Sequence, residues 1–221
     1  FGLAGGETPT ITLDKNFDVA GSHAFIKFQN VKLEENGASY FINQSKACTV
    51  SEFTLEDCEV SNIKNSFFRL QGSDAKSISK LTLKNSIFTK LCAGYGFIHI
   101  DAKSGAGHLD NVKIDGCTFN SICVTGKVFI YSNNTDMQDI TIKNSTFYNC
   151  NGNGQFFVDF GKDAKFGPNT FTIESCIFGK SADEKTDKNI RSKTPATVAN
   201  SFRTTDFFKA VSYTHLTLPT K

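Results

Sequence analysis

One octet recurs along this chain without gaps, and that repetition constrains the fold more than any other feature. It reads Phe53-Thr-Leu-Glu-Asp-Cys-Glu-Val60, then Leu81-Thr-Leu-Lys-Asn-Ser-Ile-Phe88 and Val112-Lys-Ile-Asp-Gly-Cys-Thr-Phe119. Two further copies are Ile140-Thr-Ile-Lys-Asn-Ser-Thr-Phe147 and Phe171-Thr-Ile-Glu-Ser-Cys-Ile-Phe178, and Ile26-Lys-Phe-Gln-Asn-Val-Lys-Leu33 precedes them all. Successive starts lie 27, 28, 31, 28 and 31 residues apart. A fixed period of this length marks a stacked-repeat architecture.

Each octet opens apolar, polar, apolar, polar, the period-two pattern of a strand. Its fifth residue is Asn30, Asp57, Asn85, Gly116, Asn144 or Ser175. Most of these types tolerate a left-handed backbone, so the chain is expected to turn a corner there. A small residue follows, then a second short strand. Another apolar run recurs later in each repeat: Tyr40-Phe-Ile-Asn, Phe67-Phe-Arg-Leu, Phe97-Ile-His-Ile, Val128-Phe-Ile-Tyr and Phe156-Phe-Val-Asp. The loops between are rich in Gly, Asn, Asp, Lys and Ser and vary in length.

No single repeat can close a core. Stacking them sets equivalent residues ~4.8 Å apart in columns. Phe53/Leu81/Val112/Ile140/Phe171 and Leu55/Leu83/Ile114/Ile142/Ile173 then face inward. So does the nearly all-Phe column Val60/Phe88/Phe119/Phe147/Phe178, and a tall stack of similar core positions explains a Phe count as high as 22 in 221 residues. The expected fold is all-β: a right-handed parallel β-helix, a solenoid of the pectate-lyase-like kind. A β-sandwich would need antiparallel hairpins, and a leucine-rich repeat has a shorter period.

Outward columns carry their own pattern. Glu56, Lys84, Asp115, Lys143 and Glu174 alternate in sign at every step, which favours correct stacking and solubility. Thr54/Thr82/Lys113/Thr141/Thr172 is read as structural in the same way. Seven cysteines invite a disulfide reading. Cys58, Cys117 and Cys176, however, alternate with Ser86 and Ser145, which leaves them ~9.6 Å apart by the strand spacing, too far to bridge. Cys92 and Cys123 fall in adjacent repeats and come within reach of each other, while Cys48 and Cys150 have no evident partner. No CxxC spacing exists, so no metal site or cofactor is expected.

Residues 1–25 are expected to form an irregular first coil, with Ile11-Thr-Leu13 as a strand and Gly21 as a turn. Residues 26–178 hold the repeats. Residues 179–210 form a charged loop (Ser181 to Lys193) and a terminal coil with a last strand near Thr197. The stretch 211–221 fits nothing before it and resembles translated read-through of a sequencing adapter. The natural chain is therefore expected to continue differently after about Ala210. A chain opening on Phe1 is expected to be a fragment or a processed product.

A net charge of +2, with 24 Lys+Arg against 22 Asp+Glu, gives no reason to expect nucleic acid or acidic membranes as partners. No apolar run approaches the ~20 residues of a membrane span. Inverting hydrolases of this shape set two or three Asp side by side, and no Asp-Asp pair occurs here. The strongest polar cluster is on the later strand. Arg69 aligns with His99 and Gln71 with Asp101, and all four point outward if Phe68, Leu70, Ile98 and Ile100 point inward. Such a patch suits a uronic acid carboxylate, or Asp101 orients His99. The plainer reading is surface decoration. In this alignment the column of Arg69 continues with Ile130 and Val158, and Asp159 falls in line with Leu70, Ile100 and Tyr131.

The phrases Leu81-Thr-Leu-Lys-Asn-Ser-Ile-Phe88, Gly96-Phe-Ile-His-Ile-Asp101 and Asn200-Ser-Phe-Arg-Thr-Thr-Asp206 resemble the pectate-lyase-like β-helix domains of Bacteroidetes surface lipoproteins. The resemblance spans about residues 10–210. It implies an exported, cell-surface protein associated with polysaccharide, held to a membrane only by a lipid anchor outside this sequence. No catalytic residues carry over, because the Asp cluster of the lyases has no counterpart here. The leading expectation is a non-catalytic β-helix that binds or scaffolds pectin-like polysaccharide through Arg69, Gln71, His99 and Asp101. A polysaccharide lyase or glycoside hydrolase with its active residues in loops, and an adhesin or structural repeat, stand as alternatives.

Overall fold

The structure, a computed structural model, describes residues 8–152, 156–183 and 189–203. It is all-β apart from two single-turn 3₁₀ segments, and its strands assemble into three parallel sheets of eight, six and seven strands. Each complete coil contributes one strand to each sheet in turn. Cys48–Glu56 lies in the seven-stranded sheet, Glu59–Ser61 in the eight-stranded one and Ser66–Leu70 in the six-stranded one, before Lys76–Lys84 returns to the first. The chain is a parallel β-helix.

The register matches the octets position by position. Phe53 pairs with Leu81, Leu81 with Val112, Val112 with Ile140 and Ile140 with Phe171. Val60, Phe88, Phe119, Phe147 and Phe178 align in the same way. The fifth residue of each octet turns its corner in the left-handed region: φ is 51° at Asn30, 54° at Asp57, 47° at Asn85, 67° at Gly116, 49° at Asn144 and 53° at Ser175. A second left-handed corner, at Asn62, Lys90, Ser121 and Asn149, was not marked in the sequence, because Lys and Ser carry no such preference.

The small residue after the first corner has a chemical reason for its alternation. The backbone N–H groups of Cys58 and Cys117 donate to the Ser86 and Ser145 hydroxyls, each at 3.1 Å. Those hydroxyls donate onward to the carbonyls of Lys84 (2.7 Å) and Lys143 (2.6 Å). Each serine thus satisfies a corner N–H that lies between ladders, where an unpaired group would be costly.

Phe rings fill the shaft in two interlocked files. Phe88, Phe119, Phe147 and Phe178 stack with centroids 5.0, 4.7 and 4.9 Å apart. Phe67, Phe97, Phe129 and Phe157 form a second file at 4.7, 4.8 and 5.1 Å. The files meet edge to face, as at Phe97–Phe119 (5.4 Å, 84°), the arrangement ring quadrupoles prefer.

Three expectations need correction. The first four residues of each octet are the C-terminal part of a longer strand: Gly21–Gln29, Cys48–Glu56, Lys76–Lys84 and Gly107–Asp115 each run nine residues, adding Val50, Ile78 and Leu109 to the core. The charged stretch from Ser181 to Lys193 is not all loop, because Asn189–Arg191 pairs with Phe156–Asp159. In the six-stranded sheet the sequence alignment is off by one residue at Tyr40-Phe-Ile-Asn, where Phe41 is the equivalent of Phe67, and again from Val128-Phe-Ile-Tyr onward. Ile98 pairs with Ile130 and His99 with Tyr131, so Phe129 rather than Val128 is the equivalent of Phe97. Thr197–Ala199 does supply the last strand of the seven-stranded sheet. The suspected tail at 211–221 lies outside the described residues.

The alternating charge column forms as read. Lys84 bonds Glu56 at 2.7 Å and Lys143 bonds Glu174 at 2.6 Å. Lys27 approaches Glu56 from the other side at 2.6 Å, and the two lysines hold the Glu56 carboxyl down to about 2.

Candidate functional site

Two outward faces carry enough polar side chains to be sites. The first holds the residues singled out in the sequence. Phe68, Leu70, Ile98 and Ile100 are buried, so Arg69 and His99 face outward as register neighbours. The corrected register extends their column to Asn43, Arg69, His99, Tyr131, Asp159 and Arg191. Ile130 and Val158 point into the core instead.

These groups meet, but chiefly one another. Arg69 donates Nε to Asp101 Oδ1 at 3.1 Å and Nη2 to Oδ2 at 2.6 Å, and a third donor, Nη1, reaches the Tyr40 hydroxyl at 3.2 Å. Its guanidinium sits 3.9 Å from the Tyr95 ring centroid. Arg69 is only 8% exposed. Burial disfavours its cation, but the bonds and charge of Asp101 outweigh that and raise its pKa. Gln71 donates to Asn43 Oδ1 at 2.8 Å. A guanidinium already paired in fork geometry is not available to a uronate.

The carboxylate of Asp101 therefore orients Arg69, not His99. His99 Nε2 stands 3.8 Å from Asp101 Oδ2, beyond hydrogen-bond range. Its Nδ1 accepts from the Gly96 N–H at 3.3 Å. The ring is wedged between Tyr131, stacked at 4.5 Å, and Tyr95 at 5.2 Å. Burial pushes its pKa down to about 4, with Arg69 and Lys127 adding to the effect against Asp101. Asp159, which the slipped alignment placed in the core column, instead receives a fork of its own: Arg191 Nε and Nη2 bond it at 2.7 Å each. Arg191 also covers the Phe156 ring at 4.1 Å. This face is a ladder of paired ions and stacked rings that ties coil to coil.

The second face lies on the seven-stranded sheet. A groove of about 590 Å³ runs over four neighbouring strands, from Lys80 through Asn111 and Asp139 to Thr172. Its lining also includes Lys113, Asp115, Thr141 and Lys143. Asp139 is held by the Thr141 hydroxyl at 2.6 Å and by the Thr170 hydroxyl. Asp115 accepts from Asn144 Nδ2 at 2.8 Å, and Lys80 pairs with Glu52 at 3.4 Å. Lys113 is exposed and makes no ion pair among the described residues. The sequence reading assigned these columns to stacking and solubility. It missed the groove because its lining is spread over four coils, and because Lys80, Asn111 and Asp139 stand one residue before each octet begins.

The described residues contain no group of three or more His, Cys, Asp or Glu side chains placed to hold a metal ion. Among the described residues no helix is long and apolar enough to cross a membrane. No protein-family model, curated protein or solved structure matches the chain.

Proposed function

We propose that this chain is an exported, surface-displayed β-helix that binds an acidic, pectin-like polysaccharide along the seven-stranded face without cleaving it. The observation that carries the reading is the groove over four coils, lined by the exposed Lys113 together with amide, hydroxyl and carboxylate side chains. Hydroxyl-rich ligands are recognised by such closely spaced donors and acceptors. An unpaired ammonium gives a uronate carboxylate a charged partner. Strands ~4.8 Å apart repeat this lining along the axis, which suits an extended polymer better than a compact metabolite. The face of Arg69, Gln71, His99 and Asp101 becomes the brace beside the site, since its charges are paired within the fold. The resemblance to surface lipoproteins supports export and glycan association.

Titration calorimetry with polygalacturonate, against a neutral glucan, tests this. Binding should favour the acidic polymer and weaken with salt. Lys113→Ala should weaken it by ~10-fold, as expected for a charge-assisted hydrogen bond of roughly 1.5 kcal/mol. No binding of polygalacturonate would reject the reading. Release of unsaturated or reducing ends would move it to the lyase or hydrolase alternative.

A further inference from the structure

Seven buried thiols stand along the solenoid, and register decides which of them meet. Cys58, Cys117 and Cys176 are separated by the serines at their corner. Cys48 pairs with Gly21 on one side and Lys76 on the other. Cys150 is bridged to Ser181. Cys92 and Cys123 differ from all of these. Ile122 pairs with Leu91, and the Cys123 N–H continues the ladder to the Leu91 carbonyl at 2.9 Å. The two cysteines are therefore direct neighbours across adjacent coils. A strand spacing of ~4.8 Å falls within the Cα separation of about 4.4–6.8 Å that a disulfide spans.

Their side chains also start from matching backbone. Both residues are left-handed, with φ of 67° and 56°, so both turn the same corner in the same way. Both are fully buried, so their side chains share the interior of adjacent coils. Burial and the neighbouring thiol push the Cys123 pKa well above its ordinary value. Exchange requires a thiolate and an open path. Burial closes that path in the folded pair, whereas the unfolded chain exposes both sulfurs.

We propose that Cys92 and Cys123 are a cross-coil disulfide site, oxidised as the chain folds in the presence of a disulfide donor and closed to reagents once the coils have stacked. The step balances simply. Two protein thiols lose two electrons and two protons, and one glutathione disulfide takes them up to become two glutathione thiols. One S–S bond forms in the protein as one breaks in the donor. The other five cysteines remain thiols. This inference does not rest on the glycan reading.

The test is to refold the full chain from denaturant in a buffer of reduced and oxidised glutathione. Thiols are then alkylated under denaturing conditions and the non-reduced peptides mapped. The expected result is five alkylated cysteines and one link. Because Cys117 and Cys123 share a tryptic peptide, fragmentation must assign the bond to Cys123. The midpoint of thermal unfolding should rise by several degrees over the reduced protein, and Cys92→Ser should abolish both the bond and the rise. Seven alkylated cysteines, a link between any other pair, or an intramolecular bond persisting in Cys92→Ser would overturn the proposal.

Discussion

Replacing Phe119 with alanine removes a ring from the centre of the shaft, where it is fully buried. The ring lies face to face with Phe88 at 5.0 Å and Phe147 at 4.7 Å, and edge to face with Phe97 at 5.4 Å and Phe129 at 5.0 Å. Truncating a buried Phe costs about 3–5 kcal/mol, and the cost rises with the cavity left behind. Collapse is resisted here. Phe88 and Phe147 hang from strands whose ladders run through Thr118–Ile87 and Thr118–Thr146, and those ladders fix the spacing of the coils. Each aromatic pair adds ~0.5–1.5 kcal/mol beyond area, so the loss should fall in the upper part of the range, about 4–5 kcal/mol. Urea unfolding followed by far-ultraviolet circular dichroism measures it, with tyrosine fluorescence as a second probe of two-state behaviour. Phe25→Ala, at a ring 73% exposed, is the control and should change stability by less than about 0.5 kcal/mol. A loss below about 1 kcal/mol for Phe119→Ala, or equal losses for both variants, would refute the stacked shaft.

Asn144→Val forces a β-branched residue into a corner at φ 49°, and calorimetric melting should register a loss of ~1–2 kcal/mol. Arg69→Met leaves Asp101 without its fork and strips the cation from Tyr95; denaturant titration should show a loss of about 2–3 kcal/mol. His99 should titrate by NMR near pH 4 rather than its ordinary 6.5. Because the folded chain prefers the neutral ring, the unfolded chain binds more protons across that interval. Stability held above about pH 6.5 is then lost as pH falls toward 4, and His99→Phe should flatten this part of the profile. Glu56, held down to about 2 by Lys27 and Lys84, contributes a separate loss between its ordinary 4.5 and about 2, which Glu56→Gln removes.

Much of the solenoid was legible because two constraints coincide in each octet. The period-two pattern of Leu81-Thr-Leu-Lys sets which side chains face in, and Asn85 marks where the strand must end. The six-stranded sheet lacks both signals. Val128-Phe-Ile-Tyr is apolar at three successive positions, so alternation does not fix its phase, and the variable loops before it fix no distance from the octet. The phase is set instead by ring packing, which draws Phe129 onto Phe97 and Phe157. That one-residue slip hid Tyr131 and Asp159 from the outward column of Arg69 and His99. The candidate patch was correctly grouped, but its internal bonding was invisible: sequence columns give neighbours along the axis, not the fork from Arg69 to Asp101, which crosses to the next coil and two residues along.

Coils keyed to one another only through adjacent rungs have a mechanical consequence. Interior strands are flanked by one coil on each side, so tension applied at an end loads a single interface at a time. Under stretching, the molecule should lengthen in repeated increments, each freeing some 27 to 31 residues, or roughly 100 Å of extended chain at ~3.3–3.6 Å per residue. A link joining residues 92 and 123 would withhold one such increment from the pull, and the missing step would record its presence.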